Sequence, residues 1–224
     1  MTREAVLGNI RRSLRRGELP TDQRAMLEGR LETHPRHLIP ARSQIPHPEQ
    51  VDLFVRNVEK EFGTVARVAD VDAVPESVAD YLASQNLPSD FVMSPHPELQ
   101  AIPWATRPLL KIRQGRAEST DLVSVQHAFA AIAETGTLMF PSAPERPTTI
   151  NLLPDTAIAV LRASRIVGPY EDAWDALRRE IGSMPRNVML VTGPSRSADI
   201  EQTLELGAHG PRRLHVIIIE DASG

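Results

Sequence analysis

Residues 188–219 read VMLVTGPSRSADIEQTLELGAHGPRRLHVIII, and the architecture of the chain is most legible there. Val188–Val191 is a short apolar run that enters Gly193-Pro194, the pattern of a strand followed by a tight turn. A helix is predicted to start near Ser197. After the turn Gly207-Ala208-His209-Gly210-Pro211, the last strand is Leu214–Ile219. Its run Val216–Ile219 is continuously apolar, as in a strand buried on both faces. Strand, helix and strand in succession predict a parallel sheet covered on both sides.

The same alternation extends towards the N-terminus. Ile158–Leu161 is a predicted strand, and Tyr170, Ala173, Trp174, Leu177 and Ile181 form a helical stripe after it. Thr137–Phe140 is a strand, preceded by an Ala-rich segment, Ala128–Ala133, that predicts a helix, and by an extended Val123–Gln126. Further back lie strands at Leu109–Arg113, Asp90–Met93 and Thr64–Val68. Helical stripes are carried by Val74, Val78, Tyr81 and Leu82 and by Val51, Phe54, Val55, Val58 and Phe62. The expected fold is α/β, a mostly parallel sheet with helices on both faces, forming one domain over residues 50–224. Residues 1–49 differ. Val6, Leu7, Ile10 and Leu14 form a short amphipathic helix among arginines, and five prolines between positions 18 and 49 predict an extended arm.

Composition narrows the function. With 224 residues, 41% of them hydrophobic, the chain can build a core, and no apolar run is long enough to span a bilayer. The Arg-rich start lacks the apolar centre of a secretory signal, and Glu4 interrupts a mitochondrial-type leader, so a cytoplasmic location is expected. A net charge of −4 argues against nucleic acid as a partner. There is no cysteine, which excludes disulfides, thiolate nucleophiles and a cysteine-ligated iron–sulfur cluster on this chain. The seven histidines show no metal-ligand spacing, so no metal site is expected. No P-loop, dinucleotide fingerprint or serine-hydrolase elbow is present, and the identity of any cofactor is left open.

Four segments carry groups suited to chemistry. In Glu134-Thr135-Gly136-Thr137 the glycine permits a tight turn, and the hydroxyls and carboxylate stand at a strand's start. Glu134 can serve there as base or nucleophile, or the segment is a turn satisfying its own backbone. Gly193, Ser195, Arg196, Ser197 and Asp199 surround the predicted helix start, where free amides and a guanidinium suit an anion; an ordinary helix cap is the alternative. His209 and Gly210 lie in the last turn, where a histidine can titrate near neutrality or simply be solvated. The loop holding Arg146, Thr148 and Asn151 could close over a pocket or be plain surface.

The segments AETGTL (133–138), PTTINLLPD (147–155) and GPSRSADIEQTLELGAHGPRRLHV (193–216) together resemble the LutC/YkgG family of lactate utilization proteins, the LUD domain. REAVLGNIRRSL and HPRHLIPAR are similar to the family's N-terminal arm, and NLPSDFVMSPHPEL followed by IPW to its middle. Ser197 stands where threonine is commoner in the family, and the hydroxyl is kept. The resemblance implies a fold similar to the NagB/RpiA/CoA-transferase group. It also implies a part in oxidising L-lactate to pyruvate beside two iron–sulfur partner proteins. The expected role is a non-cluster component that binds a small anion or cofactor. Glu134 and His209 are candidate catalytic groups, with Thr135, Gly136, Thr137, Arg146, Asn151, Gly193, Ser195, Arg196, Ser197, Asp199 and Gly210 as ligand contacts. Two alternatives stand: an isomerase or acyl/CoA-transferase-like enzyme using Glu134, by analogy of fold, and a structural or regulatory partner.

Overall fold

The computed structural model describes residues 2–15, 17–198, 204–206 and 210–220. The chain divides into two units, residues 1–38 and 39–224. In the first, α1 (Arg3–Ser13) is capped by the Thr2 hydroxyl, and α2 spans Thr21–Thr33. The second helix replaces the extended arm expected between residues 18 and 33. Pro20 and Pro35 bracket a proline-free stretch, so they start and stop a helix rather than break one. Neither helix buries a residue.

The second unit opens with a 3-10 turn, Ala41–Ser43, and continues as α3 (His47–Lys60), β1 (Thr64–Val68), α4 (Val74–Ser84), β2 (Asp90–Met93), α5 (Pro97–Gln100), β3 (Lys111–Gln114) and β4 (Val123–His127). Then come β5 (Ala130–Ile132), β6 (Thr137–Pro141), a 3-10 turn at Thr148–Asn151, β7 (Thr156–Arg162), β8 (Ile166–Val167), α6 (Tyr170–Ile181), β9 (Val188–Thr192), β10 (Arg196–Ala198), β11 (Leu204–Leu206) and β12 (Arg213–Ile219). Six of these strands form a sheet in the order β1-β12-β7-β4-β2-β3, every neighbour parallel. A second, four-stranded sheet runs β8-β5-β6-β9, mostly antiparallel.

Alternation along the strands of the parallel sheet explains the layers. Val123, Val125, Ile158, Val160, Ile217 and Ile219 face α4 and α5, where Val74, Val78, Leu82 and Leu99 are buried against them. Ala157, Ala159, Leu161, Val216 and Ile218 face the other way, onto α3 and the second sheet. The outer face of that second sheet is in turn covered by α6 through Ala173 and Leu177. Both faces of the parallel sheet are therefore covered as expected for an α/β fold, but one cover is largely a sheet.

Two local expectations are corrected. Ala128–Ala133 is not helical. Ala131 and Ala133 pack towards the parallel sheet while Ala130 and Ile132 pack towards α6, so burial on two faces overrides the helix preference of alanine. Small side chains at Ala128, Ala131 and Ala157 also let the two sheets approach each other. The helix expected near Ser197 is likewise replaced. Arg196–Ala198 pairs antiparallel with Leu204–Leu206, a Leu-Glu-Leu alternation in the sequence with the period of a strand.

His215, in the middle of this packing, makes stability depend on pH. Its ring stacks on Tyr81 with centroids 4.0 Å apart, Nδ1 lies 2.8 Å from the Thr64 hydroxyl, and Nε2 is buried without a partner among the described residues. Burial pushes its pKa from 6.5 down to about 4. The unfolded chain then takes up the proton first as pH falls, so the stability held above pH 6.5 is lost progressively between 6.5 and 4. The full loss should approach about 3 kcal/mol. Urea unfolding of the wild type and of His215→Gln over that window should show the wild type losing the extra stability; parallel pH curves would refute this.

Candidate functional site: a cavity between the two sheets

A cavity of about 220 Å3 lies between the parallel sheet and β9. Gln126 of β4 and Ala157 of β7 form one wall, Val191 and Thr192 of β9 another, and Asn151 closes it from the 3-10 turn. Gly193, Ser195 and Gly210 complete the rim. The Ser195 N–H donates to the Pro211 carbonyl at 2.8 Å, which ties the turn after β9 to the approach to β12. At this size the cavity suits a molecule of a few heavy atoms; drug-sized ligand sites are about 300–1,000 Å3.

Its polarity is unusual for a layer interface. Gln126 and Asn151 are 3% and 5% exposed, yet Gln126 Oε1 and Asn151 Oδ1 have no hydrogen-bond partner among the described residues. Buried acceptors left unpaired cost about 1–3 kcal/mol each, and both of these belong to residues that line the cavity.

Four hydroxyls extend this surface. Thr137 Oγ1 lies 2.7 Å from Thr135 Oγ1, 2.9 Å from Tyr170 Oη and 2.7 Å from Thr192 Oγ1, and Thr135 and Tyr170 are 2.9 Å apart. Each hydroxyl has a single hydrogen. All four contacts are satisfied only when Thr192, which takes part in one of them, donates its hydrogen to Thr137. Thr192 therefore meets the cavity as a further acceptor.

The residues singled out from sequence fall into separate places. Asn151, Gly193, Ser195 and Gly210 come together at the cavity, and Thr135 and Thr137 reach its wall through Thr192. Gly136 is a packing residue against α3. Glu134, whose side chain is 9% exposed, accepts a hydrogen bond from Arg42 at 2.8 Å, and Arg196 stacks its guanidinium 3.8 Å from the centre of the Phe62 ring. The two charges thus have different partners, and neither lines the cavity. Asp199 and His209 lie outside the described residues, as does the Ser197 side chain.

Arg146 belongs to a second constellation. Its Nη2 donates to His96 Nε2 at 2.9 Å, and the His96 ring is stacked on His127 with centroids 3.8 Å apart. Burial first, then His127 and Arg146, push the His96 pKa down to about 4. Gln126, Thr192, Tyr170 and this histidine pair escaped the sequence reading. The signal for Gln126 was available: a long amide between Val125 and His127 in a strand otherwise buried throughout.

A parallel sheet covered by helices on one side and largely by a second sheet on the other, with a small cavity between the sheets, defines an α/β domain. Residues 117–219 match the family model of the LUD domain. Among relatives, an uncharacterized protein of Neisseria meningitidis is 41% identical over 92 residues, 41% of this chain and 40% of that protein. The lactate utilization protein C of Bacillus licheniformis is 36% identical over 109 residues, 47% of this chain and 45% of that protein. The matches thus span less than half the length of these relatives. A crystal structure of a DUF162 family protein from Deinococcus radiodurans superposes with a TM-score of 0.61 at 20% identity, over 78% of this chain and 99% of that one, which establishes the shared fold. Among the described residues no helix is long and apolar enough to cross a membrane.

Proposed function

We propose that this chain is a non-cluster component of a lactate utilization system and that the cavity between its sheets binds a small hydroxy acid. The observation that carries the reading is the pair of buried, unpaired acceptors, Gln126 Oε1 and Asn151 Oδ1, on one cavity of about 220 Å3. The hydroxyl of a 2-hydroxy acid can donate its single hydrogen to one of them. The similarity to lactate utilization protein C supports the choice of acid. Oxidation to the 2-oxo acid removes two electrons. A chain with no cysteine cannot pass them to a thiolate-held cluster of its own, so iron–sulfur partner proteins take that part. The acyl-transfer alternative gains no support, because the Glu134 carboxylate is engaged by Arg42 and does not line the cavity.

Calorimetric titration with L-lactate and with propanoate, which differs only in lacking the hydroxyl, tests this directly. Lactate should bind more tightly by roughly ten- to a hundredfold, the cost of leaving a buried acceptor unpaired. Asn151→Leu should abolish the preference. Equal affinities for the two acids, or a preference unchanged in Asn151→Leu, would overturn the assignment.

A further inference from the structure

The two helices of the first unit, α1 and α2, bury none of their residues. Helices of 11 and 13 residues are marginal in water when they stand alone. Such helices gain their stability from a surface that covers an apolar face. The two differ in whether they have one. Val6 and Ile10 of α1 and its cap residue Leu14 follow one another at intervals of four, and they are 42%, 48% and 56% exposed. Leu7, half-buried, stands beside them. In α2, Met26, Leu27 and Leu31 are exposed as well, but Arg30 and Gln23 separate Met26 from the other two around the helix.

We infer that α1 docks on an anionic lipid surface, lying in the plane of the membrane with Val6, Ile10 and Leu14 turned into the lipid. Charge selects the occupant. In residues 2–15, Arg3, Arg11, Arg12 and Arg15 stand against a single carboxylate, Glu4. In the second unit Arg67, Arg107, Arg113 and Arg165 each meet a carboxylate. Arg3, Arg11 and Arg15 meet none among the described residues. They are spread along the helix rather than gathered on one point, which is the arrangement a continuous anionic surface matches.

The positions of the side chains suit this orientation. Arg3 opens the line that Leu7, Ile10 and Leu14 continue, Arg11 borders that line, and Arg15 follows its end. Arginine stems can lie along apolar surface while their heads stay at the level of the phosphates. Arg12 is on the far side, where it donates to Asn9 of the same helix. Val6, Leu7, Ile10 and Leu14 together hold about as much hydrocarbon as one myristoyl chain. Such a chain alone binds a membrane only marginally and reversibly, and a basic patch is a second signal that makes the attachment stable. Each arginine near an anionic surface strengthens binding by about fivefold, so three of them supply about a hundredfold. Neither the stripe nor the charge suffices by itself, and α1 has both.

Cosedimentation of the tag-free, full-length chain with lipid vesicles tests the docking. Vesicles of phosphatidylglycerol and phosphatidylcholine in equal parts should bind it at low salt, and vesicles of phosphatidylcholine alone should not. Salt at about 0.5 M, where the Debye length falls to about 4 Å, should release it. Arg3→Gln combined with Arg11→Gln should weaken binding by about twentyfold. Ile10→Glu should weaken it by roughly tenfold or more, because it sets a charge in the apolar stripe. Leu31→Glu is the control: Leu31 is 74% exposed, more than Ile10, but it lies on α2, so binding should not change. The urea midpoint of every variant should match the wild type, since neither helix buries a residue. No binding to the anionic vesicles would overturn the docking in favour of an acidic protein surface. Equal binding to neutral vesicles, or a loss with Leu31→Glu as large as with Ile10→Glu, would overturn it as well. None of these outcomes depends on whether the inter-sheet cavity binds an acid.

Discussion

Gly136→Ala should destabilise the fold by roughly 3 kcal/mol or more, close to the limit of what a domain of this size tolerates. The residue has φ +69°, a left-handed conformation that costs a side chain about 1–2 kcal/mol by itself. The larger part is steric. A Cβ there would stand 2.7 Å from the Val58 backbone nitrogen and 2.8 Å from the Asn57 carbonyl carbon, inside α3. Backbone in a helix cannot yield as a side-chain tip can. The same helix is fastened to the neighbouring turn, since Asn57 Nδ2 donates to the carbonyls of Ala133 at 2.7 Å and of Glu134 at 3.2 Å. A comparison isolates the clash. Gly182 has φ +73° with nothing within 4 Å of its Cβ position, so Gly182→Ala should cost only the conformational part. Urea midpoints of the two variants that differ by less than the error of measurement would show that α3 can move aside.

Phe54→Ala is the second large effect, about 3–5 kcal/mol. Phe54 is fully buried on α3, in the cluster that joins Leu161 and Ile218 of the parallel sheet to Leu138 and Phe140 of the second. Removing its ring opens a cavity where three elements meet, and none can collapse into it without leaving another. Denaturant unfolding should show a lowered midpoint with an unchanged slope. Leu190→Ala, on β9 and 42% exposed, should by contrast stay within about 0.5 kcal/mol of the wild type.

The legibility of this fold tracks the kind of side chain that each element buries. Strands such as Val216–Ile219 are buried among β-branched residues, and helices such as α6 carry a stripe of large apolar groups; both kinds of element stand out in the sequence. β5 does not, because alanine is what two closely approaching sheets require and also what a helix prefers. The proline arm misled for a related reason: prolines at 20 and 35 have the same composition whether they interrupt a helix or delimit one. At the cavity, Asn151, Gly193, Ser195 and Gly210 lie in turns, where polar residues draw attention, whereas Gln126 and Thr192 sit inside strands. The stacked histidine pair was hidden by distance. His127 comes thirty-one positions after His96, across two strands. Nor does local sequence pair Arg42 with Glu134, which meet only because α3 brings its approach segment against the second sheet.

The pairing of β12 between β1 and β7 has a consequence for synthesis on the ribosome. β1 emerges early and, among the described residues, has no strand neighbour other than β12, whose residues 213–219 are made some 150 positions later. Throughout that interval the first strand of the domain is held only by its own helices, and once β7 (Thr156–Arg162) has been made its edge too stays bare until β12 arrives. Translation halted before residue 213 would leave a product with two adhesive borders and no means of joining them, the kind of polypeptide that chaperones bind and proteases clear.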